Sequence, residues 1–202
     1  MSKLKLTYAG RWSIFEKMRE LVFTKNVDLK YLETTEEVKE QLLIDKFLIN
    51  EFREALTVDE VDRVGIICSL IGAFMRIIGS SNITIGVDLG LVRNGLVILI
   101  NDTPIIHSVL TPNELLRLIS KLCLLKLKIK LVIGYSNASR NVINDLIHTL
   151  RSHDIEIILV SENYVRNLRH TLQKEYPNLT IDEIDALACT YLGNTYGILV
   201  KP

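Results

Sequence analysis

Four acidic residues in the later part of the chain have the type and placement for chemistry: Asp88, Glu162, Asp182 and Asp185. Asp88 closes the apolar run Ile85-Gly86-Val87, Glu162 follows Val160-Ser161, and Asp182 and Asp185 stand one helical turn apart and so share a helix face. Carboxylates crowded into one pocket repel one another and are costly to bury, and bound Mg²⁺ or Mn²⁺ removes that conflict. A two-metal carboxylate site can activate water, brace a leaving oxygen and so break a phosphodiester. Each acid also has an ordinary explanation. Asp88-Leu89-Gly90 reads as a turn, Asp182 suits the positive end of a helix, and Glu162 suits a solvated first turn. Asp185 is the exception, because Ala186-Leu187-Ala188 after it predicts a face pressed closely on a neighbouring element.

The elements that must bring these acids together are legible from pattern. Ile83–Leu89 reads as a strand, Asn94-Gly95 as a hairpin turn, and Leu96–Ile100 as the returning strand. Asn101-Asp102 turns the chain into a third strand, Thr103–Val109, and Pro104 places that strand at a sheet edge. Thr111-Pro112-Asn113-Glu114 caps a helix to about Leu127, followed by a strand at Leu131–Tyr135 and a helix at Ser139–Ser152. A strand at Ile155–Val160 and helices at Asn163–Lys174 and Ile181–Leu192 complete the order βββαβαβαα, the last helix opened by Thr180 and Glu183. An antiparallel meander feeding right-handed βαβ units predicts an α/β fold: a mixed five-stranded sheet whose first, fourth and fifth strands lie side by side. Ligands of such sheets bind beyond the carboxyl ends of the parallel strands, where Asp88 and Glu162 fall.

The turn formers Gly79-Ser80-Ser81-Asn82 divide the chain into a region 1–79 and a domain 80–202. The first region reads as mainly helical. A short strand at Lys3–Tyr8 and a helix near Trp12–Phe23 come first. Thr34/Glu37 predicts a capping box opening a helix through Val38, Leu42, Leu43, Phe47 and Phe52 to about Ala55, and Thr57/Glu60 a second box opening a helix that ends near Ile78. Val64–Ile78 is apolar nearly all round but shorter than the ~18–20 residues of a bilayer crossing, so it reads as a buried helix rather than a membrane span. Gly65, Gly72 and Gly79 recur every seventh residue and give it a smooth stripe, for packing within the chain or for a homodimer seam through 58–78.

Composition excludes several classes. With Lys+Arg 24 against Asp+Glu 24 the chain is no generic polybasic nucleic-acid binder, so any such affinity must come from local arrangement. At 48% hydrophobic it is not disordered. Cys68, Cys123 and Cys189 lie far apart without a C-x-x-C, and Met1-Ser2-Lys3-Leu4-Lys5 lacks the apolar core of a signal peptide; both point to a reduced, cytoplasmic setting. The four histidines have no spacing typical of zinc sites.

Ile85-Gly86-Val87-Asp88-Leu89-Gly90, with a second glycine at Gly95, resembles the first-strand motif of the RuvC-type Holliday junction resolvases, which have the RNase H-like fold. Ile181-Asp182-Glu183-Ile184-Asp185-Ala186-Leu187-Ala188 resembles their last motif, and the resemblance spans about residues 81–193. Where RuvC proteins carry a glutamate after the fourth strand, this chain has Gly134-Tyr135-Ser136; the related YqgF family has glycine there and a glutamate after strand five, as Glu162 stands here without its Asp and Arg neighbours. The resemblance implies that Asp88 and Asp185 bind two Mg²⁺ or Mn²⁺ ions, with Glu162 and Asp182 completing the shell. It implies an endonuclease acting on branched DNA as a dimer. Its YqgF side implies a nuclease for structured RNA such as pre-rRNA, and loss of the acids' neighbours a non-catalytic nucleic-acid-binding module. Arg93, Arg140, Arg166 and Arg169 are candidates to hold phosphates at the active edge, and Tyr135 to stack on an unpaired base; solvated surface charge is the alternative for each arginine.

Overall fold

The computed structural model describes residues 3–32, 41–45, 56–58, 62–79, 82–125, 127–136, 139–151 and 153–200. The chain divides into two compact units, Met1–Ser80 and Ser81–Pro202. Together they make a mixed α/β protein with one parallel and one mixed sheet and six described helices.

The described residues of the first unit form a parallel sheet as well as helices. Its strands β1 (Leu4–Ala9), β2 (Val27–Tyr31), β3 (Gln41–Asp45) and β4 (Leu56–Val58) form an all-parallel sheet in the order β2-β1-β3-β4, accompanied by helices α1 (Trp12–Leu21) and α2 (Arg63–Ile78). The helix expected through Leu42 and Leu43 is strand β3 there; the Thr34/Glu37 box, Val38, Phe47, Phe52 and Ala55 lie outside the described residues. A short apolar run such as Leu42-Leu43-Ile44 fits a buried strand as well as a helix face, and only its pairing with Leu6–Ala9 of β1 decides between them. Thr57 belongs to β4, so α2 is opened instead by Asp62, whose Oδ1 accepts from the Gly65 amide at 2.9 Å. Nine residues of α2 are buried, Gly65 among them, and the helix packs on β1, β3, β4 and α1; Gly79 ends it at φ 66°, a left-handed conformation glycine takes without strain. The glycine stripe is thus partly core and partly cap. At the carboxyl edge of this sheet, buried Asp45 accepts from Arg11 Nε at 2.9 Å, Nη2 at 3.0 Å and the Arg11 amide at 3.0 Å. Although burial opposes its charge, these bonds hold the Asp45 carboxyl below its usual range.

The second unit carries the predicted alternation. Strands β5 (Asn82–Asp88), β6 (Asn94–Ile100) and β7 (Thr103–Leu110) form the meander. Helix α3 (Pro112–Leu124), strand β8 (Lys128–Tyr135), helix α4 (Arg140–Leu150), strand β9 (Ile155–Ser161) and helices α5 (Glu162–Glu175) and α6 (Ile181–Tyr196) follow. A strand not foreseen, β10 (Ile198–Val200), pairs antiparallel with β9, so the sheet has six strands in the order β10-β9-β8-β5-β6-β7. The described sheet thus has one strand more than the five expected. β5, β8 and β9 are parallel, and β7, which holds Pro104, is one edge, β10 being the other. Asn101 and Asp102 take φ 47° and 61°, the positive values a tight hairpin turn demands.

Asn94-Gly95 is not the turn. Both residues lie in β6, Gly95 opposite Asp88, and the chain reverses through 89–93. Asn94 organises that reversal: its Oδ1 accepts from the Gly90 amide at 3.1 Å, and its Nδ2 donates to the Leu110 carbonyl at 3.3 Å. Among the described residues no helix is long and apolar enough to cross a membrane.

Candidate active site

Helix α6 is the element that makes the site. Thr180 caps it, accepting from the Glu183 amide at 3.3 Å, while Glu183 Oε2 accepts from the Thr180 amide and hydroxyl at 2.8 Å each. The other Glu183 oxygen lies 2.9 Å from His107 Nδ1 on β7, which ties the first turn of α6 to the sheet. Although burial opposes its charge, these bonds keep the buried Glu183 carboxyl below its usual range. Sequence reading took Glu183 as a cap alone; its partner on β7 is 76 residues away.

Glycines let α6 approach the sheet closely. A Cβ at Gly95 would overlap the Asp182 carbonyl, and one at Gly86 would overlap the Ala186 carbonyl and the Thr190 methyl group. The helix backbone therefore rests directly on β5 and β6. At Gly134, where a side chain would point toward the acids, an added Cβ would stand 3.0 Å from Cys189 Sγ and 3.8 Å from Asp88 Oδ1. A side chain there would press on the Cys189 sulfur and lie in contact with Asp88.

Four acids meet at this edge. Asp88 ends β5, Glu162 opens α5, and Asp182 and Asp185 lie in the first turns of α6. Burial, followed by the negative charges of Asp185, Asp182 and Glu162, raises the Asp88 pKa to about 7, while Arg169 opposes the rise. The Cys189 thiol lies fully buried below, its pKa pushed well up by burial and then by the charges of Asp88, Asp185 and Glu162. Nothing in its spacing marked Cys189 as a neighbour of the acids.

The repulsion expected among these carboxylates is met by arginines. Arg93 Nη2 lies 3.3 Å from Asp182 Oδ2, and Arg166 Nη2 lies 3.4 Å from Glu162 Oε2, both pairs at the solvent-facing rim. Asp185 differs: its side chain is only 7% exposed, and Arg169 holds both of its oxygens, Nε donating to Oδ1 at 2.7 Å and Nη2 to Oδ2. Among the described residues no ion pair involves Asp88. Of the residues expected to touch nucleic acid, Arg93, Arg166 and Arg169 thus face the acids themselves. Tyr135 ends β8 half-buried and Arg140 opens α4 exposed, and neither bonds to the acids.

The donor chemistry suits divalent ions, since hard carboxylate oxygens are the ligands Mg²⁺ and Mn²⁺ take. The spacing is wider than a loaded site requires: among the described residues no group of three or more His, Cys, Asp or Glu side chains is placed to hold a metal. A cleft of about 490 Å³ lies at the opposite, amino-terminal end of β5 and β8, lined in part by Asn82, Lys128, Lys130 and Glu156, away from these acids.

No family model matches this chain, and no curated protein does. Among solved structures, the chain is similar to T. thermophilus RuvC in complex with Holliday junction substrate, with a TM-score of 0.42 and 9% sequence identity over 58% of this chain and 99% of that one.

Proposed function

We propose that the second unit is a divalent-metal-dependent endonuclease that hydrolyses phosphodiester bonds in branched DNA. The convergence of Asp88, Glu162, Asp182 and Asp185 on the carboxyl edge of a parallel sheet carries this reading. Asp88 supports it most directly, because a carboxyl pushed to about 7 by burial and then by three neighbouring acids is a group that gains from a cation. Asp88 and Asp185 would hold the metal, with Glu162 and Asp182 completing the shell. Bound there, Mg²⁺ or Mn²⁺ would supply an activated water and charge stabilisation at the phosphorus. The chain's own part is to keep Asp88 fixed between β6 and β8, to keep bulk away at Gly134, and to offer Arg93 and Arg166 at the rim to phosphates. Tyr135 would stack on an unpaired base, and Arg140 would hold a phosphate beyond β8. Two symmetric cuts in a four-way junction would call for two copies of the chain.

A second reading has its own support: the hold of Arg169 on Asp185 favours a non-catalytic nucleic-acid-binding module of the same architecture. The two separate in one experiment. Four-way DNA junctions, duplex, single strands and structured RNA are offered with Mg²⁺ or Mn²⁺ to the wild type and to Asp88→Asn. The nuclease reading expects junction cleavage that falls at least about a hundredfold in the variant while binding persists. Binding without cleavage by the wild type favours the module, and cleavage confined to structured RNA moves the substrate to RNA.

A further inference from the structure

Arg169 stands at the focus of the acidic edge. Its bond to Asp185 is the main cause that lifts its own pKa, and the charges of Asp88 and Glu162 add to it, so one guanidinium answers three of the four acids. The Arg93 and Arg166 pairs are single contacts at an exposed rim, of a kind worth little in water. The Arg169 pair is a two-pronged fork on a buried carboxylate, with the arginine itself only 35% exposed. Both oxygens of Asp185 are occupied by it. A divalent ion bound to those oxygens would have to share or take them, and it would bring a second positive charge to within a few ångströms of the guanidinium.

We infer that Arg169 is the resident counter-cation of the acidic edge, and that a divalent ion binds only by displacing it from Asp185. This deepens the metal-dependent reading above and rests on it. Arg169 is then a positioning residue: its fork holds both oxygens of Asp185 in place before the metal arrives. Metal binding and arginine release become one coupled equilibrium.

The test is direct Mn²⁺ binding to the full chain, by calorimetry and by the loss of free-Mn²⁺ spin-resonance signal, for the wild type, Arg169→Gln, Arg169→Lys and Arg169→Gln/Asp185→Asn. Removing the competing cation is expected to tighten Mn²⁺ binding about tenfold or more in Arg169→Gln, the scale of one charged hydrogen-bonded pair. Arg169→Lys keeps the charge, loses the fork and is expected between the two; it also serves if the glutamine variant fails to fold. Without metal, Arg169→Gln is expected to melt below the wild type and to recover more than the wild type does on adding Mn²⁺. The double variant is expected to lose the gain. Equal or weaker Mn²⁺ binding by folded Arg169 variants overturns the displacement while leaving a metal site standing. Absence of Mn²⁺ binding in every variant overturns the metal reading and the displacement together.

Discussion

At the scale of single residues, Asp88 is where the electrostatics concentrate. Its folded-state pKa of about 7 lies above that of a free aspartate, so between roughly pH 4 and pH 7 the folded chain binds a proton that the unfolded chain has lost. The stability this group contributes is therefore full below about pH 4 and is lost as the pH rises through about 7. Without divalent ions, Asp88→Asn is expected to flatten that decline and to melt above the wild type at pH 8. Thermal unfolding followed from pH 5 to pH 8 measures it, and parallel curves for the two proteins would remove the charge crowding from the account. The places of the four acids at strand and helix ends were legible in the sequence. Their arginine partners were not, because Arg93, Arg166 and Arg169 looked like phosphate contacts until α5 and α6 were placed side by side.

Elements show a sharper division. Helix α6 announced itself through Thr180, Glu183 and the Ala186-Leu187-Ala188 run, since capping and close packing leave local traces. Its anchor to β7 through His107 left none. Replacing Glu183 by Ala removes the capping box and leaves that histidine contact unmade, and a loss of about 2–3 kcal/mol in denaturant unfolding is expected. Because Asp182 and Asp185 flank Glu183, any metal affinity should fall with it; an unchanged midpoint would mean that the glycine contacts alone hold the helix. Asn94-Gly95 teaches the opposite lesson. The dipeptide fits a tight hairpin, yet Gly95 is spent on admitting α6 and Asn94 on bracing the loop before it.

For the whole molecule, the division after Ser80 predicts two folding units. Each has its own sheet and its own buried apolar set, from Leu6, Tyr8, Ile44 and Phe74 in one to Ile85, Leu96, Leu131 and Leu187 in the other. A chain starting at residue 81 is expected to keep far-UV circular dichroism of an α/β protein, a cooperative melt and the metal affinity of the full chain. Loss of the cooperative melt would make the first unit part of the second unit's stability. The first unit's own lock, Arg11 on Asp45, works in the usual direction for a depressed carboxyl, present above about pH 4 and lost as the pH falls below it.

The sequence by itself determined the α/β alternation from Asn82 onward, the caps of α3 and α6, the edge position of β7 and the places of four acids at strand and helix ends, because periodicity, capping and turn chemistry act between residues a few positions apart. Only the tertiary structure decided that 1–80 holds a parallel sheet, that β10 extends the second sheet, and that each outer acid is met by its own arginine. Those outcomes depend on pairings between segments tens of residues apart, where a strand such as Gln41–Asp45 gains its identity from the neighbour it bonds to and an acid gains its character from the charges that folding brings beside it.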